Sequence, residues 1–256
     1  MRARARVPSN GSLGSRRTSH ERLPTTSGVP LGLDAATASG GDSVFTQRAD
    51  VARVLRNTYA LLSMTLLFSG AVAAAAVAFK LPAPGMILTL IGYFGLLFAI
   101  HKTQHSAASV PLVFALTGFM GYTLGPLLSA ILNLPGGANT IALALGTTGA
   151  TFLVLSAYVL ATKKDFSFMG GFLFAGMIIA ILASLANLFF QLPMLAMVVS
   201  GVVALLSVGM ILFHTSMIVN GGERNYVMAT VSLFVSLFNL FTSLLSIFGF
   251  AGSSDD

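Results

Sequence analysis

The 256-residue chain is 55% hydrophobic and only 9% charged, far below the roughly 25% charged content of a soluble domain, so lipid rather than water is its solvent and the bilayer its first partner. The absence of cysteine excludes disulfides, thiolate metal sites and cysteine nucleophiles. A net charge of +6 invites a nucleic-acid reading, yet nine of the fourteen basic residues precede the first apolar run and no basic patch with interleaved aromatics follows, so no nucleic-acid partner is expected.

Residues 1–47 are rich in Arg, Ser, Thr, Gly and Pro without sustained apolar periodicity, and read as a disordered basic tail. The same Arg-rich, acid-poor composition is found in mitochondrial transit peptides, and a misassigned start codon would also produce such a segment. A seven-helix domain is expected over 48–252, followed by a short acidic end, 253–256. The apolar segments run over about 57–79, 85–100, 107–132, 141–161, 168–190, 194–219 and 226–250. A helix needs about 20 residues to cross the hydrocarbon core. The second segment is short and reaches that length by extending into His101 and Lys102, whose polar tips can snorkel to the interface.

The third segment contains FALTGFMGYTLGPLLSAIL, in which Gly118, Gly121 and Gly125 are small positions and Gly121 to Gly125 forms a GxxxG. Such spacing lets helices approach closely, while Pro126 removes a backbone donor and is expected to kink the span. Tight packing and a hinged helix lining a cavity are both consistent with it. At the next junction, ATKKDFSFMGGFLFAG, Asp165 and Ser167 read as caps, and the paired Gly170 and Gly171 open the fifth span. Asn187 near that span's far end reads as inter-helix glue. Only Gln191, Leu192 and Pro193 separate the fifth and sixth segments, so six spans with a re-entrant hairpin rival seven.

With the tail on the cytoplasmic side, the inside segments hold thirteen basic residues and the outside loops only Lys80. That asymmetry predicts a cytoplasmic N-terminus and a periplasmic C-terminus. All eight acidic residues are expected in tails or loops, which lowers a proton-coupled transport mechanism built on intramembrane carboxylates. There is no intramembrane HExxH, no GxSxG and no phosphate-binding loop, so neither an enzyme nor a cofactor is expected. An inverted-repeat transporter would need internal symmetry, and none is visible.

His214 is the one ionisable side chain well inside a span. It lies six residues inward from Asn220, about 9 Å at helical rise. A neutral histidine hydrogen-bonded to a neighbouring helix and a pH-responsive gate both fit that position.

Four stretches carry a likeness: RNTYALLSMTLLFSG (56–70), TGFMGYTLGPLL (117–128), KKDFSFMGGFL (163–173) and NGGERNYVMATVSLFVSLFNLF (220–241). Together they resemble the Bax inhibitor-1 family, nearest its bacterial YccA-like branch, over roughly residues 51–251. The resemblance implies an all-α integral membrane fold of seven transmembrane helices with a central seventh, in the bacterial inner membrane. It also implies membrane stress control, with the membrane-anchored ATP-dependent protease FtsH as partner. Other members of the family behave as pH-sensitive calcium leaks, in which an aspartate of the sixth helix and one of the seventh share a proton. In this chain ILFHT puts His214 at the first of those positions and LFVSLFNLF puts Ser236 at the second, while Asn239 matches the family's asparagine. Histidine and serine offer neither a shared carboxylate proton nor anionic oxygens for calcium. Two functions compete: a regulator, partner and possible substrate of FtsH, and a cation leak gated through His214 paired with Ser236 or a loop acid such as Glu223, with calcium or protons as ligands.

Overall fold

A computed structural model describes residues 32–252, with side chains described over 49–250. The described backbone is helical with turns and has no strand. In hydrocarbon every backbone N–H and C=O must find its partner within the chain, which an apolar run achieves by coiling on itself. Seven helices result: α1 (Gly32–Ala78), α2 (Met86–Thr103), α3 (Ser109–Leu132), α4 (Gly137–Thr162), α5 (Gly170–Phe190), α6 (Pro193–Val219) and α7 (Tyr226–Gly252), with one 3-10 turn at Ser167–Met169 before α5. All seven contain a stretch long and apolar enough to cross a membrane.

The chain divides into two units, Met1–Asp42 and Ser43–Asp256. Of the first, only the helical backbone from Gly32 is described. Everything below concerns the second. The start of α1 at Gly32 differs from the expected start near 57. Residues 32–56 hold five alanines and no proline, so nothing in them stops a helix once the apolar run has nucleated it. Asp34, Asp42 and Asp50, expected in the tail, therefore lie on helical backbone, with Asp50 exposed. The rest of the tail, residues 1–31, and the acidic end, 253–256, lie outside the described residues.

Seven helices, rather than six and a re-entrant hairpin, follow from the lengths of the fifth and sixth spans, Ser167–Phe190 and Pro193–Val219, at 24 and 27 residues each long enough to cross, although a very short turn joins them. Gln191 adopts φ 50°, in the left-handed region, and its N–H bonds the Asn187 carbonyl at 2.7 Å. The Asn187 side chain accepts from the Leu192 N–H at 3.0 Å, and Pro193 starts α6 where a missing N–H costs nothing. Asn187 is thus a local cap rather than glue between helices, because a turn this tight leaves helix-end groups that only a neighbouring side chain can reach.

Half of the α7 span is buried, more than of any other. It packs against α3, α4 and α6, with α6–α7 the most extensive pair, and its Thr230 hydroxyl donates to the Thr58 carbonyl of α1 at 3.4 Å. Val227, Val231, Leu233, Phe234, Leu237 and Leu240 of α7 anchor the main core cluster. The peripheral helices dock on inner ones: α5 on α6 through Leu173, Ala180 and Leu206, and α2 on α3. Their outward faces carry the large exposed apolar side chains, such as Phe172 and Phe189 of α5 and Phe98 of α2. In water such faces would aggregate; in a bilayer they meet hydrocarbon.

α3 runs unbroken through Pro126, so the proline breaks no helix. Its glycines face α1. A Cβ on Gly121 would collide with the Ser69 carbonyl oxygen, one on Gly125 would stand 2.7 Å from the Ala76 Cβ, and one on Gly118 2.7 Å from the Phe68 ring. Three glycines on one face thus set the α1–α3 separation at backbone contact.

Candidate functional site

The end of the bundle that carries the α2–α3, α4–α5 and α6–α7 loops concentrates the polar side chains. His214 sits one and a half turns before the end of α6, half-buried, with its ring edge-on to Phe213 at 5.2 Å. Phe213 in turn packs where a Cβ on Gly170 would stand, 2.8 Å from its ring. Gly170 therefore admits Phe213, whereas Gly171 faces open space. His214 has no hydrogen-bond partner among the described residues.

Ser236 is buried on α7 and donates to the Ser232 carbonyl of its own helix at 2.8 Å. Asn239 is half-buried, and its carbonyl accepts from the Thr242 hydroxyl at 3.1 Å. No hydrogen bond joins His214, Ser236 or Asn239 to one another among the described residues. No group of three or more His, Cys, Asp or Glu able to hold a metal ion occurs among them either.

Of the residues that do organise this end, the sequence pointed only to Glu223, and to that as a gate acid rather than a loop support. The buried Ser216 hydroxyl accepts from the Phe166 N–H at 2.9 Å and donates to the Lys164 carbonyl at 3.2 Å. Asn220 donates to the same carbonyl at 3.5 Å and to Ser216 Oγ at 3.2 Å. The last turn of α6 therefore grips the α4–α5 loop. On the other side Asn225 caps α7, its Oδ1 accepting from the Val227 N–H at 2.9 Å, while its Nδ2 donates to the Gln104 carbonyl at 2.9 Å. Glu223 supports it by accepting from the Asn225 N–H at 2.7 Å. Asparagine and serine beside helix ends were the available signal.

Asp165 and Ser167 are expected as caps, but the 3-10 turn has Phe166 and α5 has Met169 at the N-cap, with no side-chain cap at either; Asp165 instead accepts from the Ser167 hydroxyl and, at 2.8 Å, from the Ser167 N–H. Those two bonds hold its carboxyl below the ordinary carboxylate range, the hydroxyl contributing most. Just inside the same face lie four buried hydroxyls that have no hydrogen-bond partner among the described residues: Thr58, Tyr59, Ser156 and Thr215. Tyr59 and Phe152, one turn from Ser156 on α4, bring α1 and α4 together with ring centroids 5.8 Å apart. The interior at this end is polar but uncharged. It can hold water and orient loops; it offers no nucleophile–base pair and no anionic cage for a cation.

Seven apolar spans, the seventh the most buried, with interlocked polar loops at one end, define a multi-pass integral membrane protein. The family model described as inhibitor of apoptosis-promoting Bax1 matches residues 51–253, and the chain belongs to that family. It is 53% identical over 199 residues to the modulator of FtsH protease YccA of Escherichia coli K12, covering 78% of this chain and 90% of that protein. An uncharacterized protein of Pseudomonas aeruginosa is 50% identical over 84% of this chain and 96% of its own length. An uncharacterized membrane protein of Vibrio cholerae is 46% identical over 79% and 92%. The Escherichia coli O6:H1 relative is an inner membrane protein, and with seven apolar spans the chain is a multi-pass protein of that membrane.

Proposed function

We propose that the chain is a non-enzymatic regulator of a membrane-anchored ATP-dependent protease of the FtsH type, acting in membrane-protein quality control as partner and slow substrate. The observation that carries this reading is the 53% identity to a modulator of FtsH protease over 90% of that protein's length. The arrangement of the loop end supports it. Three loops locked together by Ser216, Asn220 and Asn225 form a preorganised polar surface, of the kind a protein partner binds at low entropic cost. In this reading that surface is cytoplasmic and the N-terminus lies on the same side, with the C-terminus periplasmic, following the bias of thirteen basic residues against one.

Co-purification of the full chain from native membranes with the protease, and its half-life with and without that protease, test the proposal. Deleting residues 1–45 is expected to lengthen the half-life, since the Arg-, Ser-, Gly- and Pro-rich composition of that stretch is of the kind on which an ATP-driven protease starts. No co-purification together with an unchanged lifetime would reject the reading. A pH-gated calcium leak is the weaker alternative, because His214 and Ser236 stand where the leak members carry their sensor acids.

A further inference from the structure

Toward the opposite end of the bundle, α1, α3, α4 and α7 enclose an apolar crevice of about 670 Å³. Its floor is the buried face of α7, with Phe234, Leu237 and Phe241. Its walls are small: Gly70, Ala73 and Ala74 from α1 and Gly149 from α4. A Cβ on Gly70 or on Gly149 would meet nothing within 4 Å, so the space exists because side chains are missing there. The rim residues Leu66, Leu132 and Leu145 are 39%, 44% and 56% exposed, which opens the crevice sideways onto the surrounding hydrocarbon. Only Ser69 and Thr148 among the lining residues carry a polar side chain, and the Thr148 hydroxyl is taken up by the Ala144 carbonyl at 2.7 Å.

Three observations select the occupant. The lining holds no charge and no free array of donors, so what enters is hydrocarbon. The volume sits within the range of small-molecule pockets, about 300–1,000 Å³. A partner helix of roughly 10 Å diameter needs about 1,200 Å³ for 15 Å of its length. The crevice also reaches Ala78 and Leu132, the last residues of α1 and α3. One end therefore meets the membrane interface, and Lys80 stands there, exposed, two residues past Ala78. It is the one basic residue in the described loops of that face. A cation at the mouth of an apolar slot complements a lipid phosphate whose chain lies inside.

We propose that this crevice binds one acyl chain of an anionic bilayer phospholipid, lying between α1 and α4 against α7, with the lipid phosphate held at Lys80. The bound chain completes the packing that the small residues of α1 and α4 leave open, and places a lipid directly on the central helix.

The sequence contains no tryptophan, so single-tryptophan reporters need no background removal. In detergent-solubilised full chain, Phe152→Trp, inside the crevice, is titrated with phosphatidylglycerol brominated on its acyl chains. Phe172→Trp, on the outward face of α5 and 72% exposed, is titrated beside it. Quenching of the first is expected to saturate near one lipid per chain, and that of the second to rise only in proportion to the lipid in the micelle. Adding Gly70→Phe or Gly149→Leu to the first is expected to weaken the saturable phase by at least about tenfold, with melting behaviour and helical content as the check on folding. Lys80→Gln is expected to weaken binding several-fold and to level phosphatidylglycerol with phosphatidylcholine. Quenching that never saturates would overturn the proposal. So would folded crevice-filling variants that bind like the parent, or a parent that takes both lipids equally.

Discussion

The Ser216 hydroxyl accepts a hydrogen bond from the Phe166 backbone N–H at 2.9 Å across a sequence separation of 50 residues. It also donates to the Lys164 carbonyl, so one small side chain satisfies two backbone groups of the α4–α5 loop. Ser216→Ala is therefore expected to destabilise the protein by about 1–3 kcal/mol, the cost of leaving buried partners unpaired. Ser207→Ala is the control, because the Ser207 hydroxyl bonds only the Val203 carbonyl of its own helix. Its cost is expected to stay below about 1 kcal/mol. Thermal unfolding of both variants in detergent reads the difference, and equal losses would remove Ser216 from this role.

Gly121 offers a steric prediction. A Cβ there runs into the Ser69 carbonyl, which belongs to the α1 backbone and cannot swing away. Gly121→Ala is expected to cost about 1–3 kcal/mol through forced separation of α1 and α3. Gly146→Ala, where a Cβ meets open space, is expected to be neutral or slightly stabilising, since alanine orders a helix better than glycine. The same unfolding assay compares them.

The carboxyl of Asp165 titrates below its ordinary value of 3.8 because the charged form accepts from Ser167 twice. A depressed carboxylate contributes its stabilisation above the ordinary value and loses it as pH falls through the lowered one. Hydrogen exchange at the Ser167 amide is expected to show protection that holds at neutral pH and fades only in acid below 3.8. Asp165→Asn is expected to remove that pH dependence, and a protection loss already complete near neutrality would contradict the assignment.

For the leak alternative, the relevant pair is His214 and Ser236. Calcium flux into vesicles containing the purified chain, measured between about pH 5 and 8 where a histidine titrates, is expected to match that of empty vesicles. His214→Ala is expected to change nothing. A pH-dependent flux abolished by that substitution would establish the leak and displace the regulator reading from first place.

Topology can be read without engineering a background, since the chain has no cysteine. Single cysteines replacing Ser106, in the α2–α3 loop, and Asn133, after α3, are expected to label from opposite faces of right-side-out membranes, Asn133→Cys alone reacting with an impermeant reagent. Labelling of Ser106→Cys instead would invert the orientation.

Much of this architecture was written in the residues. Runs of apolar side chains fix where helices must be, because the bilayer admits no other backbone solution, and segment after segment lies within a few residues of its expected limits. The start of α1 was hidden, since a polar stretch such as 32–56 carries no apolar period to betray a helix. Gly118, Gly121 and Gly125 were visible as small positions, but that they seat α1 is a fact of three-dimensional pairing. His214 stands out in the sequence as an ionisable ring in a greasy span, while Ser216, two residues on, does the joining. A lone serine in an apolar helix looks like any other until the loop it meets is known.

The turn at Gln191 and Leu192 has a consequence for how the protein is made. With only two residues between α5 and α6, and both helix-end groups answered by Asn187, neither helix can wait in water while the other crosses. α5, which leans on α6, therefore reaches its packed place only once α6 has followed it out of the ribosome.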